Sequence, residues 1–136
     1  LGQVQNYTDG RTRQAAWDLC FSAPKSVSAL WAVAPDELSS AIRDAHNRSV
    51  SVALEYIEDV GGVTRRGKEG AILERAQMAF AVFEHGTSRA QAPQLHSHCL
   101  AMAACRRADG SWGTIRSNDL YDHKMVAASL HHAELA

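Results

Sequence analysis

Three of the chain's seven histidines fall in one stretch, FEHGTSRAQAPQLHSHCLAMAAC, residues 83 to 105. His96 and His98 flank a single serine in a run that reads as strand. Both imidazoles therefore project from one face, and Ser97 points to the other. His85 stands eleven positions before His96, at the end of another apolar run. If the loop 86–93 folds back, the two runs lie side by side and His85 joins the pair. Three imidazole nitrogens on neighbouring strands suit one metal ion. They leave coordination positions open, which catalysis needs and a purely structural site avoids. On spacing alone, three unrelated polar histidines remain the plainer alternative.

Asp18 is the fourth candidate. A carboxylate inside WDLCF is costly to bury unless it is paired. Metal-bound histidines usually donate their free ring N–H to a carboxylate, which fixes tautomer and orientation. If the first strand pairs with the histidine strands, Asp18 can do this. An edge-strand aspartate facing water is the competing reading.

The elements that must position these residues follow from pattern. AAWDLCF (15–21) reads as a strand, with Trp17, Leu19 and Phe21 on one face and Asp18 and Cys20 on the other. Ser22 reads as an N-cap and Pro24 as part of a first helical turn, followed by Val27, Leu30, Trp31 and Ala34 at helical spacing. Pro35–Asp36 breaks that helix and starts the next. The second helix carries Leu38, Ile42, Ala45, Ala53, Tyr56, Ile57 and Val60 as its stripe and ends at Gly61–Gly62. His46 lies on or beside that stripe and reads as a packed core residue. Residues 63–84 predict two strands around KEG, the second being RAQMAFAVFE. A strand Gln94–Cys105, an ADG turn, a short strand Trp112–Ile115 and a helix from about Ser117 complete the order. One domain of the α+β class results: helices packed on a largely antiparallel sheet.

Composition sets the outer limits. A chain of 136 residues can bury a real core. It is 46% apolar and 21% charged, a globular balance. No apolar run approaches the ~18 residues a membrane span needs. The opening residues carry no signal-peptide pattern, and a start at Leu1 with a close on HHAELA reads as a piece of a longer protein. Cys20, Cys99 and Cys105 form no CxxC pair and suggest buried thiols in a reducing compartment. A net charge of −1 does not announce a nucleic-acid binder. Any such surface must be local, drawn from Arg11 with Arg13, Lys25, the Arg65–Arg66–Lys68 cluster, or Arg106 with Arg107. Solvated turns are the plainer reading of each.

DLCFSAPKSVSALWAV, then FEHGTSRAQAPQLHSHCLAMAACRRADGSWGTI, then AELA closely resemble the MobF (TrwC/TraI-type) conjugative relaxases, members of the HUH endonucleases. The resemblance runs from Trp17 to nearly the end of the chain, in order and at the right spacing. It implies a palm-like antiparallel sheet flanked by helices, with residues 1–136 forming part of a relaxase domain. It implies nicking of one DNA strand at a plasmid origin of transfer, with a tyrosine becoming joined to the 5′ end. By position, His85, His96 and His98 become metal ligands and Asp18 the acidic catalytic residue beside them. Lys25 and Ser26, near a helix N-terminus, become phosphate contacts. Arg89 belongs to the same motif, and with Thr87 and Ser88 it shapes the loop carrying His85 near DNA. The implied partners are single-stranded DNA at an origin of transfer and other relaxosome proteins. The implied location is the bacterial cytoplasm, without membrane insertion. The implied cofactor is a divalent ion, magnesium or manganese in the family, although three imidazoles intrinsically favour zinc, nickel or copper.

Four departures stand against the pattern. The family's nucleophilic tyrosines lie upstream of Leu1, and Tyr7, Tyr56 and Tyr121 do not match them, so these residues alone are expected to be inactive. Ala92 replaces the usual Asp before Pro93, Ala103 replaces an Asn, and His131 replaces a Tyr. A nicking-deficient DNA-binding remnant is therefore the alternative to an active relaxase, and a metal-dependent hydrolase is a third reading.

Overall fold

The computed structural model describes Gln5, Asn6 and residues 12–135. Tyr7 and Arg11 lie outside the described residues, as do the side chains of Arg13 and Tyr121. Two short strands, β1 (Gln5–Asn6) and β2 (Thr12–Arg13), pair with each other. There follow β3 (Ala16–Ser22), α1 (Lys25–Val33), α2 (Asp36–Gly61), β4 (Val63–Arg66) and a 3-10 turn (Lys68–Gly70). The chain continues with β5 (Ile72–Gln77), β6 (Phe80–Thr87), β7 (Pro93–Met102), β8 (Ala104–Arg107), β9 (Trp112–Thr114) and α3 (Asn118–Leu135). Among the described residues the sheets run β1-β2, β3-β7-β6 and β4-β5-β8-β9, with antiparallel pairing throughout. The α+β expectation holds.

The face of β3 carrying Trp17, Leu19 and Phe21 is the inner one, as the alternation predicts. Phe21 joins Cys99 and Ala101 of β7, Val50, Ala53 and Ile57 of α2, and Leu120 and Ala127 of α3 in one core. Burying a side chain such as Ile57 or Leu95, both 0% exposed, contributes roughly 1.5–3 kcal/mol. Asp18 and Cys20 face outward.

Three sequence expectations change. Residues 75–84 are not one strand. Met78 and Ala79 separate β5, which pairs with β4 and β8, from β6, which pairs with β7. The break is held by polar groups: Met78 N donates to Glu58 Oε2 at 2.9 Å, and Met102 N donates to Ala79 O at 2.9 Å. The strand expected over 94–105 divides likewise at Ala103, whose N donates to Ala15 O while its carbonyl accepts from Ile115 N. The same two chain segments thus build both larger sheets.

The N-cap moves as well. Ser22 ends β3, Ala23 N donates to Leu95 O at 2.9 Å, and Pro24 occupies the cap position with extended backbone. Pairing with β7 holds the chain extended through residue 23, so the helix cannot begin earlier. On α1 the buried residue is Ser28, whereas Leu30 is exposed. Ser28 Oγ accepts from Leu95 N at 3.0 Å, tying α1 to β7.

The second helix has 26 residues and spans about 39 Å at 1.5 Å per residue. Asp36 and Glu37 in its first turn complement the helix dipole. At its end Gly62 is required by space. A Cβ there would stand 2.5 Å from Glu58 O and 2.6 Å from Ala76 O, both backbone atoms. No helix among the described residues is long and apolar enough to cross a membrane.

Candidate metal centre

The register of the central sheet brings the histidines together. His85 of β6 pairs directly with His96 of β7, and His98 pairs with Phe83 on one side and Cys20 on the other. All three rings share the outer face. Their centroids form a nearly equilateral triangle with sides of 5.2, 5.2 and 5.1 Å. One ligand atom from each lies within 4.8 Å of the others. Nitrogens around one ion at ~2.1 Å stand about 3.4 Å apart, so small ring rotations bring the set onto a single centre.

The outer nitrogens of the two β7 rings are already engaged. His96 Nδ1 lies 2.9 Å from Gln94 O. His98 Nδ1 lies 3.1 Å from Asp18 Oδ2 and 3.3 Å from Oδ1. A carbonyl and a carboxylate accept only, so each Nδ1 carries the proton and each Nε2 lone pair is left for a metal. The donor set fits a divalent ion with open coordination positions. His96 is buried while His85 is exposed and His98 partly so, leaving one side of the triangle open to solvent.

Beyond His85 the register shifts between His85 and Thr87. Gly86 lies close over the Trp31 ring, where a Cβ would come within 2.8 Å of it. Ser88 then closes the turn: its N donates to Ala92 O at 2.9 Å, its carbonyl accepts from Gln91 N at 2.9 Å, and its Oγ accepts from Ala92 N at 3.3 Å. The bonds at Ala92 use main-chain atoms, so alanine at this position leaves the turn intact. Arg89 is exposed on that turn.

Lys25 and Ser26 open α1, three and four residues past Ser22, the partner of His96. Both are exposed at the sheet end that carries the triad. The Arg65–Arg66–Lys68 cluster does not act as a unit. Arg66 pairs with Glu74 at 3.1 Å and Asp109 at 2.8 Å, and Arg107 reaches Glu74 at 3.4 Å. Hydrogen bonds from Ser111, then the Arg66 guanidinium, hold the Asp109 carboxyl well below the usual carboxylate range. Arg65, Lys68 and Arg106 remain exposed. Among the cysteines, Cys99 and Cys105 are buried and free as expected, but Cys20 is free and exposed on the triad's face. Burial pushes the Cys99 thiol up to about 12.

Sequence reasoning missed the group behind the sheet. His46 is buried as foreseen, yet it is not merely packed: Nε2 lies 2.9 Å from Ser97 Oγ, and Nδ1 lies 3.1 Å from His131 Nε2. The available signal was Ser97 itself, a polar residue at a core-facing strand position. Tyr56 Oη, 2.7 Å from His123 Nδ1, belongs to the contact between α2 and α3.

A histidine triangle with a flanking carboxylate thus stands on the outer face of an antiparallel sheet backed by two helices, an arrangement able to hold a divalent ion. The chain belongs to the TrwC relaxase family, whose family model matches residues 2–136. It is 36% identical over 113 residues to the multifunctional conjugation protein TraI of Escherichia coli (strain K12), covering 81% of this chain and 6% of that protein. Among solved structures it resembles the conjugative relaxase TrwC in complex with OriT DNA. The metal-free form matches with a TM-score of 0.85 at 32% identity, over 96% of this chain and 45% of that one. The metal-bound form matches with a TM-score of 0.84 at 32% identity, over 96% and 44%. The chain therefore spans a small part of TraI and under half of the TrwC chain.

Proposed function

We propose that this chain forms the metal-binding core of a conjugative relaxase, which nicks one strand of plasmid DNA at an origin of transfer in the bacterial cytoplasm and carries the 5′ end on a tyrosine. The observation that supports it best is the His85–His96–His98 triangle with both β7 imidazoles already oriented, by Gln94 O and by Asp18. A divalent ion bound there would polarise the scissile phosphate and offset charge growing on its oxygens. His85, His96 and His98 hold it; Asp18 keeps His98 in the metal-binding tautomer. Lys25, Ser26 and Arg89, exposed at the same end of the central sheet, contact phosphates of the single strand. Manganese or magnesium is the working ion, with zinc or nickel as tighter competitors for an all-imidazole set.

The nucleophile is a tyrosine upstream of Leu1, the position implied by the family resemblance. Tyr56 is engaged with His123 and has no part in the chemistry. The triad and its carboxylate are intact, and neither Ala92 nor Ala103 is among the ligand residues. Both points favour an active enzyme over a DNA-binding remnant.

The test is a labelled origin oligonucleotide incubated with manganese and the protein extended upstream, run on a denaturing gel. A DNA–protein adduct is expected, and it should disappear in His96→Ala and His98→Ala. No adduct on the plasmid's own origin overturns the proposal. An adduct from residues 1–136 alone would instead point to Tyr7.

A further inference from the structure

Directly behind the triad, on the inner face of the same strand, lie three polar side chains sealed from solvent: Ser97 at 0%, His46 at 0% and His131 at 1% exposure. A hydroxyl and two imidazoles in a core cost free energy unless each finds a partner. Here they satisfy one another in a line across three elements. Ser97 of β7 meets His46 of α2 at 2.9 Å, and His46 meets His131 of α3 at 3.1 Å. The two imidazole rings stand perpendicular, with centroids 5.1 Å apart.

We propose that Ser97, His46 and His131 are positioning residues that fix the rotation of β7 about its own axis and thereby aim His96 and His98 at one metal ion. This rests on the metal-centre reading above. Ser97 alternates with the two ligands, so any twist of the strand that swings either ring must carry Ser97 Oγ off His46. An apolar residue at position 97 would fill space but would not resist that rotation, because dispersion contacts have little directionality. A fully satisfied buried polar network does resist it and specifies a single arrangement. The end of α3 grips the sheet at a second point. His132, beside His131, places Nε2 3.0 Å from the carbonyl of Ser22, the Cα partner of His96. Adjacent residues of one helix thus hold β3 directly, through His132, and the strand bearing His96 and His98 by way of His46.

Cobalt(II) is the probe, because its visible absorption reports ligand geometry at saturation regardless of how stable the fold is. Titrations of the full chain should be followed by absorbance and calorimetry, with thermal melts alongside. Ser97→Ala is expected to bind cobalt about 10-fold more weakly, at the low end for residues acting through a ligand, and to give a shifted band at saturating metal. Ser97→Thr, which keeps the hydroxyl, should restore both. If Ser97→Ala does not fold, His46→Gln and His46→Leu make the same comparison. Gln keeps a polar group where Nε2 stands, and only Leu should shift the band. Altered melting with wild-type affinity and spectrum in Ser97→Ala and His46→Leu overturns the inference and leaves the metal reading standing. No cobalt binding by the unaltered chain overturns the metal reading itself.

Discussion

Asp18 and His98 meet on a diagonal of the β3–β7 pair: Asp18 is opposite Leu100 and His98 opposite Cys20, yet the carboxylate spans the offset and lies 3.1 Å from Nδ1. The Asp18 side chain is 51% exposed, so the contact contributes little to folding. Its effect is on the ring's tautomer. Asp18→Ala is therefore expected to leave the melting temperature nearly unchanged while weakening manganese binding about 10–100-fold. His96→Ala or His98→Ala should abolish it. Calorimetric titration of the three variants distinguishes these outcomes, and equal losses in all three would mean Asp18 is itself a ligand.

Phosphate contacts can be counted by salt. For single strands, log K falls against log salt by about 0.7 per phosphate neutralised. Lys25→Ala and Arg89→Ala should each reduce the slope by about that amount. Arg66→Ala should leave the slope alone and lower stability, because its guanidinium is occupied by Glu74 and Asp109. Fluorescence anisotropy of an origin oligonucleotide across a salt series gives the slopes, and a steeper loss for Arg66→Ala would reverse the assignment.

Acid should weaken the fold through its buried imidazoles. Burial, then the neighbouring His46 and His132, pushes His131 down to about 4 from 6.5, and burial lowers His46 as well. Between those values the unfolded chain binds a proton that the folded chain does not. The stability contributed is full above pH 6.5 and is lost as pH falls toward 4, at up to about 1.4 kcal/mol per pH unit for one site. Urea unfolding at several pH values should give this slope, and His131→Gln should flatten it. An unchanged slope in that variant would exclude His131 as the cause.

Gly86 sits between His85 and the loop, against Trp31. Gly86→Ala places a methyl 2.8 Å from the indole, so either the ring or the strand end must move. A loss of about 1–3 kcal/mol is expected from such overpacking, together with weaker metal binding through His85. Trp31→Ala in the same chain should recover the metal affinity, and failure to do so would place the strain elsewhere.

The outer face was readable because strand alternation is strict. His96 and His98 at i and i+2, with Asp18 opposite in phase to Trp17 and Leu19, fix which side chains meet once the strands pair. The division of residues 75–84 and 94–105 was not readable. Met78–Ala79 and Ala103 carry no glycine or proline, and the breaks are made by partners elsewhere in the chain, Glu58 and Met102 for the first, Ala15 and Ile115 for the second. Ser22 looked like a cap because serine commonly is one; pairing of Ala23 with Leu95 overrode that local preference. His46 read as ordinary core because a helix-face histidine usually is, and its partners Ser97 and His131 come from positions 51 and 85 residues away.

The separation of Asp18 from His98, 80 residues along the chain, also sets a clock during synthesis. At about 5–20 residues per second, β3 leaves the ribosome about 4–16 s before the strand that will cover it. Both helices α1 and α2 can form meanwhile from local contacts, but among the described residues β3 has no strand partner until β7 arrives. Through that interval Trp17, Leu19 and Phe21 belong to an apolar strand still waiting for β7, the kind of segment that invites intermolecular pairing. In the nascent chain this seven-residue strand is the stretch a ribosome-bound chaperone would shield first.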